Sequence, residues 1–452
     1  MVVSINDLPN EILAQIFSHL DRPAPSDSKL HDQPSSFMLQ NLFFDRDLKT
    51  TSLVCKRWRD AILPALFRHV VWTFDRFELP LIEETRDPAS AIDFLAFLRT
   101  NNLTNHVKSL TLFVEDAMGG ISDGTSSATL METGFANKAS YSEDYNWLWR
   151  TIFDHVDPIR FTIIASPRVL AQLLSRMLFL GDAWNFSMPQ HVLSLSQKDK
   201  KMPTTRYSSN VATASSSQSP PPEASHQKRV PCDLFTIRPW QALLLNEGSS
   251  TRVYKTYEFY LKRPPSILGA LLGSEEFPND EPMVAPSIRE LSYVGIFPLS
   301  SHFNTLVQNI PRLDRLFVQL VPRSDILQDV DEMRNVEIAD LWMERNTAYS
   351  MLFRELFDPG VDSPWLDLQV FESGDAADKE AWDMAVQFVQ FSGVHGWKVE
   401  SEGVFVRDGG EGASAILGMS HLPGRLRRMA FNGITVLPVS SVSLYMGDAA
   451  AP

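Results

Sequence analysis

Residues 8–20 read LPNEILAQIFSHL, and residues 47–60 read DLKTTSLVCKRWRD. In the first stretch, apolar side chains recur at the three- and four-residue spacing of one helical face. Pro9 suits a first helical turn, where its missing N–H costs no hydrogen bond. The second stretch continues a helical pattern until Pro64, which predicts an end or a kink. Helices are therefore predicted to dominate residues 8–67.

The composition bounds the class of protein. The 452 residues suggest two or three domains, and the 44% of hydrophobic residues allows much of the chain to bury a core. A formal net charge of −14 argues against general binding to nucleic-acid phosphates or to anionic lipid. The two cysteines, Cys55 and Cys232, exclude a disulfide framework and a Cys-rich zinc site. Without a visible leader or spanning segment, we expect a soluble protein of the cytoplasm or nucleus.

Past residue 68, short β-type runs alternate with helical segments. The predicted strands are 70–74, 107–114, 160–165, 288–294, 313–321, 366–371 and 426–431. Several share the pattern apolar-x-x-apolar-x-apolar, and the copies at Ile288 and Leu313 start 25 residues apart, which is typical of leucine-rich repeats of about 20–29 residues. The predicted fold class is α/β, with a small N-terminal helical domain before an irregular, leucine-rich-repeat-like α/β solenoid. An unrelated α/β domain whose strands merely alternate stays open.

Two domains of unequal size are predicted. The first spans residues 1–68 and contains an inserted loop at 21–45 between its first two helices. The second spans residues 69–452. Within it, residues 194–231 are dominated by Ser, Thr, Pro and Gln, a composition that buries too little apolar surface to offset the entropy of ordering. We therefore predict a disordered insertion there.

The two quoted stretches, followed by ILPALF at 62–67, together resemble an F-box. The resemblance implies three short helices that bind the adaptor Skp1, which attaches the protein to a cullin-RING ubiquitin ligase. The remainder, including TIRPWQALLLNEGSS at 236–250, is similar to an uncharacterised group of fungal F-box proteins. The loop at 21–45 is longer than the family's usual connection. Because loop length costs entropy only logarithmically, a surface insertion is expected to be tolerated there.

The resemblance also implies which side chains contact Skp1. They are Leu8, Pro9, Ile12, Leu13, Ile16, Phe17, Val54, Cys55 and Trp58. A domain of about 60 residues is marginal alone, and a partner would cover its surplus of apolar side chains. Core packing is the alternative for each position, and we expect some of Leu13, Phe17 and Val54 to be core. Pro9 and Trp58 are the strongest interface candidates, whereas Cys55 is expected to be a small buried hydrophobe.

Residues 46–70 carry a local formal charge of +4 within an acidic chain. The contributing side chains are Arg46, Lys49, Lys56, Arg57, Arg59 and Arg68, against Asp47 and Asp60. A basic helix of this kind can bind nucleic acid. The stretch is short and has no helix-turn-helix spacing, so an acidic adaptor surface is the favoured partner, with which the charge would speed and orient association.

No catalytic motif accompanies these features. The sequence has no H-E-x-x-H, P-loop or G-x-S-x-G, and the glycines at 409–412 lack the spacing of a dinucleotide site. We expect no cofactor, no metal, no nucleic acid and no membrane. The predicted function is the non-catalytic substrate-recognition subunit of an SCF-type (Skp1-cullin-F-box) E3 ubiquitin ligase, with residues 69–452 binding an unidentified target protein. Two alternatives stay open: a Skp1-bound scaffold with a non-ligase role, and an enzyme domain fused to an F-box, which would need a pocket with paired titratable groups.

Overall fold

A computed structural model describes most of the chain. The described residues are 5–21, 29–32, 34, 46–75, 78–115, 144–197, 231–276, 279–321, 325–375, 379–391 and 396–408. They form a group of short N-terminal helices followed by a 10-stranded, mostly parallel sheet with helices in its connections. Within these ranges, every helix is too short or too polar to cross a membrane. The predicted α/β class with helices at the N-terminus is confirmed.

Three helices precede the sheet. They are α1 (Asn10–Ser18), α2 (Arg46–Ser52) and α3 (Lys56–Leu66). The helical pattern predicted across residues 47–63 is interrupted after Ser52. There the hydroxyl groups of Thr51 and Ser52 donate to the carbonyls of Asp47 (2.7 Å) and Lys49 (2.6 Å), local bonds that compete with helical continuation. Pro64 lies inside α3, which ends two residues later.

The strands follow one another across the sheet almost in chain order. They are β1 (His69–Asp75), β2 (Ser109–Glu115), β3 (Arg160–Ala165), β4 (His191–Ser196), β5 (Ala242–Ser249), β6 (Glu290–Ile296), β7 (Arg315–Gln319), β8 (Val370–Ser373), β9 (Trp397–Ser401) and β10 (Val404–Arg407). The order is β1 to β8, then β10 and β9. Strands β1–β3 and β5–β8 pair in parallel, whereas β4 and β10 run antiparallel to their neighbours. Each strand from β2 to β8 thus extends the edge left by the preceding one, as in a solenoid.

Helices fill the connections and cover one face of the sheet. They are α4 (Leu79–Glu83), α5 (Pro88–Ala91), α6 (Asp93–Thr100), α7 (Asn146–Phe153), α8 (Pro167–Leu173), α9 (Leu268–Leu272), α10 (Ser300–Asn309), α11 (Val330–Met333), α12 (Ile338–Phe357) and α13 (Lys379–Phe391). The main core lies between them and alternate strand residues. Trp149 of α7, for example, is fully buried, with its ring 5.8 Å from that of Phe161 in β3.

In the parallel strands, a buried apolar residue of one strand lies directly beside a buried apolar residue of the next. The register pairs Val70 with Leu110, Leu110 with Phe161, Leu243 with Leu291, Leu291 with Leu316, and Leu316 with Phe371. Just before β1, β2, β5, β6 and β7, one backbone carbonyl accepts hydrogen bonds from two N–H groups at the start of the neighbouring strand. These carbonyls belong to Arg68, Lys108, Gln241, Arg289 and Asp314. The predicted 25-residue step from Ile288 to Leu313 agrees with this register. The relation to leucine-rich repeats stays a prediction.

Two sequence predictions need correction here, and a third cannot be compared with the structure. The insertion predicted at 194–231 starts too early, because β4 continues to Ser196 and pairs with β3 and β5; residues 198–230 lie outside the described residues. The strand predicted at 366–371 is wrong by several residues, since a 3-10 turn occupies Pro364–Asp367 and β8 starts at Val370. The strand predicted at 426–431 lies outside the described part.

The loop predicted at 21–45 is not wholly a surface insertion. Of its described residues, those at 29–32 and 34 lie on the sheet face opposite the helices, where Leu30 is 6% exposed, whereas Asp21 stays beside Arg68. Leu30 packs on residues from several strands, which makes it part of a second, smaller core. The connection between the first two helices therefore reaches the sheet.

Candidate functional site

A small apolar core holds the three N-terminal helices together. Its buried members are Leu13, Phe17, Leu48 and Ile62, one or two from each helix. The Trp58 ring lies at the edge of this core, 5.1 Å from the Phe17 ring. Leu13 and Phe17 are 0% and 3% exposed, so their side chains have no surface to offer a partner while this core is intact.

Two arginines join α1 to α3 at both ends. At one end Arg57 donates from Nε to Asn10 Oδ1 (2.8 Å) and from Nη2 to the Leu8 carbonyl. At the other end the Arg68 guanidinium forms an ion pair with Asp21. These bonds bring the α2–α3 connection beside the start of α1 and fix the angle between the helices.

Around the α2–α3 connection and on the outer side of α1, apolar side chains face water. Leu53 is 82% exposed and Val54 60%, and Ile12 and Ile16 of α1 are 42% and 39% exposed. Ile12 and Ile16 are four residues apart, so they share one helical face beside the buried stripe of α1. Apolar groups gathered at a surface in this way mark an interaction site. We call these four residues, together with Pro9, the apolar strip.

Basic side chains border the apolar strip. Lys49, Lys56 and Arg59 are exposed on α2 and α3. Apolar side chains rimmed by charge are the usual anatomy of a protein interface, and the positive sign favours an acidic partner.

A family model described as F-box-like matches residues 5–71, which comprise the three helices and the start of β1. The chain therefore contains an F-box-like domain. No curated protein matches the chain, and no solved structure does either. The F-box accounts for about a seventh of the chain, so the match covers the three helices and the start of β1 and no more of the sheet.

The nine F-box residues predicted to contact Skp1 have different environments. Those exposed to solvent are Pro9, Ile12, Ile16, Val54 and Cys55, those half-buried are Leu8 and Trp58, and those in the core are Leu13 and Phe17. The expectation of a buried Cys55 is wrong, because this residue precedes α3 in an extended conformation with its thiol exposed. Leu53, which is 82% exposed next to Val54, was not among the nine predicted residues.

Outside the F-box, the sheet domain buries a carboxylate. Glu247, at the end of β5, is 3% exposed and accepts hydrogen bonds from Tyr293 Oη (2.9 Å), His302 Nε2 (3.1 Å) and the Ser266 hydroxyl. Burial alone raises the pKa of Glu247, but the hydrogen bond and charge of His302 outweigh it and lower that pKa below its usual value. The cluster is a buried network in which one carboxylate satisfies three donors.

A cavity of about 750 Å³ lies beside this network and is lined by Ser266, Ser301 and His302, among others. It bears on the enzyme alternative, which requires paired titratable groups in a pocket. The His302–Glu247 pair meets that requirement, but Ser266 donates to Glu247 rather than to His302, so Ser266 and His302 do not form the hydrogen-bonded pair in which a histidine activates a serine nucleophile. In the described ranges, no group of three or more His, Cys, Asp or Glu side chains could hold a metal ion.

His191 predicts an acid-sensitive fold. This residue of β4 is fully buried, and burial lowers its pKa to about 4 from the usual 6.5. Protonation therefore favours the unfolded chain as the pH falls from about 6.5 to 4, and up to about 3 kcal/mol of unfolding free energy is lost over that range. His191→Leu should remove this part of the pH dependence, measured as the difference in urea unfolding between variant and wild type at several pH values.

The control for this experiment is His106→Leu, which replaces an exposed histidine. That variant should keep the pH dependence of the wild type. An unchanged acid-induced loss in His191→Leu would show that other groups cause it.

Proposed function

We propose that the chain is the substrate-recognition subunit of an SCF-type E3 ubiquitin ligase, in which the F-box binds a Skp1-like adaptor and the sheet domain binds a target protein. The apolar strip of the F-box is the observation that carries the proposal. It exposes apolar side chains that no described part of the chain covers, and basic residues border it. An acidic adaptor with an apolar groove would fit this surface.

The sheet domain supports the second half of the proposal. Its strands line up side by side into one broad face, and such surfaces bind other proteins in repeat architectures. The F-box is joined to this domain without a spacer, since α3 ends at Leu66 and β1 begins at His69. The chain would thus carry an adaptor at one end and a target at the other, in the cytoplasm or nucleus, and without catalysis of its own.

The test is affinity purification of the full chain from its own cells with the proteasome inhibited. We expect Skp1, a cullin and a target that accumulates under inhibition. A variant with Ile12 and Val54 changed to Asp should lose Skp1 and cullin but keep the target. Recovery of Skp1 without any cullin would favour the scaffold role instead.

A further inference from the structure

The inserted loop of the F-box places a tight turn on the open face of the sheet. Residues Lys29–Asp32 form this turn, which the Asp32 N–H closes on the Lys29 carbonyl (3.1 Å). Leu30, at its tip, is 6% exposed. The side chains around it are Phe113, Ile164, Val192 and Leu244, one from each of the strands β2 to β5. The turn therefore occupies an apolar recess in the middle of the sheet.

One side chain recognises the backbone of this turn. Asn246 in β5 is fully buried, and its Oδ1 accepts from the Gly248 N–H (3.0 Å), which orients the amide. Its Nδ2 then donates to the carbonyls of Leu30 (2.8 Å) and Asp32 (2.7 Å). Both N–H donors of the amide are used on the turn, so a polar group that would be costly to bury is satisfied by it.

A second contact extends the recess towards β7. The His31 ring stacks on the Phe317 ring, with centroids 4.2 Å apart and planes 11° from parallel. Gln319 Nε2 also donates to the His31 carbonyl (3.5 Å), so the turn is held by an aliphatic side chain, a planar ring and three carbonyl groups. Only the aliphatic and ring contacts depend on the side chains of the turn, because Asn246 and Gln319 bond its backbone carbonyls.

We propose that this face is a binding site for a tight turn of a partner protein, and that residues 29–32 occupy it as an internal ligand. The partner turn would carry an aliphatic residue followed by an aromatic or imidazole ring at its two central positions. The inference rests on the proposed function, since it names the face by which the sheet would hold a target. A tethered occupant competes at an effective concentration near the millimolar range, so a target must bind more tightly or displace it.

The test uses a fluorescent peptide added in trans, and measures its binding to the full chain. The peptide has the sequence of residues 26–36, SDSKLHDQPSS. A released variant carries Leu30→Asp and His31→Ala, which should free the face, and it should bind the peptide at least 100-fold more tightly than the wild type does. Asn246→Asp in the released variant keeps the acceptor for Gly248 and removes both donors. It should weaken peptide binding at least 10-fold, and a scrambled peptide should not bind.

Two results overturn the inference. One is equal peptide binding to the wild type and the released variant, and the other is no binding to a released variant that retains the circular dichroism of the wild type. A second released variant, with residues 29–34 replaced by Gly and Ser, guards against a folding defect of the first. Skp1 co-purification measured on the wild-type preparation tests the proposed function separately: its absence there would refute the F-box role, whereas wild-type Skp1 binding with no peptide binding to the released variants refutes the turn site alone.

Discussion

Changing Ile12 and Val54 together to Asp is expected to weaken Skp1 binding by at least about 100-fold, because central apolar contacts at interfaces are often worth about 2 kcal/mol each. Both side chains are exposed, at 42% and 60%, so neither change removes a contact of the small core. The variant should therefore keep the unfolding free energy of the wild type. Surface plasmon resonance with purified Skp1 and urea unfolding would measure the two quantities.

A matched control exists elsewhere in the chain. Ile338 and Val361 are exposed to 53% and 83% and lie outside the F-box, so Ile338→Asp with Val361→Asp makes the same chemical change. This control should bind Skp1 normally. Full Skp1 affinity in the Ile12/Val54 variant would contradict the assignment of the apolar strip. Trp58→Ala is a poorer probe, since it also removes the ring contact with Phe17.

Removal of the buried carboxylate, Glu247→Ala, is expected to lower the unfolding free energy by about 3 kcal/mol or more. The change leaves the buried donors of Ser266 and Tyr293, and the partly buried donor of His302, without their acceptor. Glu247→Gln keeps the shape and an acceptor oxygen, so a smaller loss is expected. Urea unfolding at neutral pH of the full chain would measure both.

Glu402→Ala is the control for this prediction, because Glu402 is exposed in the β9–β10 turn. Its effect should stay within about 0.5 kcal/mol. A loss below about 1 kcal/mol in Glu247→Ala would mean that water reaches the network and satisfies the three donors.

Local signals in the sequence were sufficient for a helical N-terminal region and for the parallel strands β1, β2, β3, β6 and β7. The spacing around Leu13 and Phe17 predicts α1 and its buried stripe, and the copies at Ile288 and Leu313 give the register of β6 and β7. Periodicity works there because one face of each element is buried against the same core. It failed for β4, whose serines face the side of the sheet away from the helices, where Ser194 bonds Thr162 (2.9 Å) instead of packing.

Contacts between distant residues lay beyond the sequence. Nothing near Leu30 indicates that it packs on a sheet, because Asn246, which holds its carbonyl, is 216 residues away. The carboxylate network is hidden for the same reason, since Glu247, Ser266, Tyr293 and His302 meet only once β5, β6 and α10 are side by side. The exposure of Cys55 depends on where α2 ends, which hydroxyl bonds of Thr51 and Ser52 decide.

The junction between α3 and β1 has a consequence for any ubiquitin transfer that the protein directs. Two residues join them, and the Arg68 carbonyl is held by the N–H groups of Lys108 and Ser109. A bound adaptor and a bound target would therefore stand at a fixed separation instead of swinging on a tether. The position of a lysine on the target's surface would then decide whether it receives ubiquitin. Moving that lysine to another surface position should reduce its ubiquitination more than changing the residues next to it in the sequence.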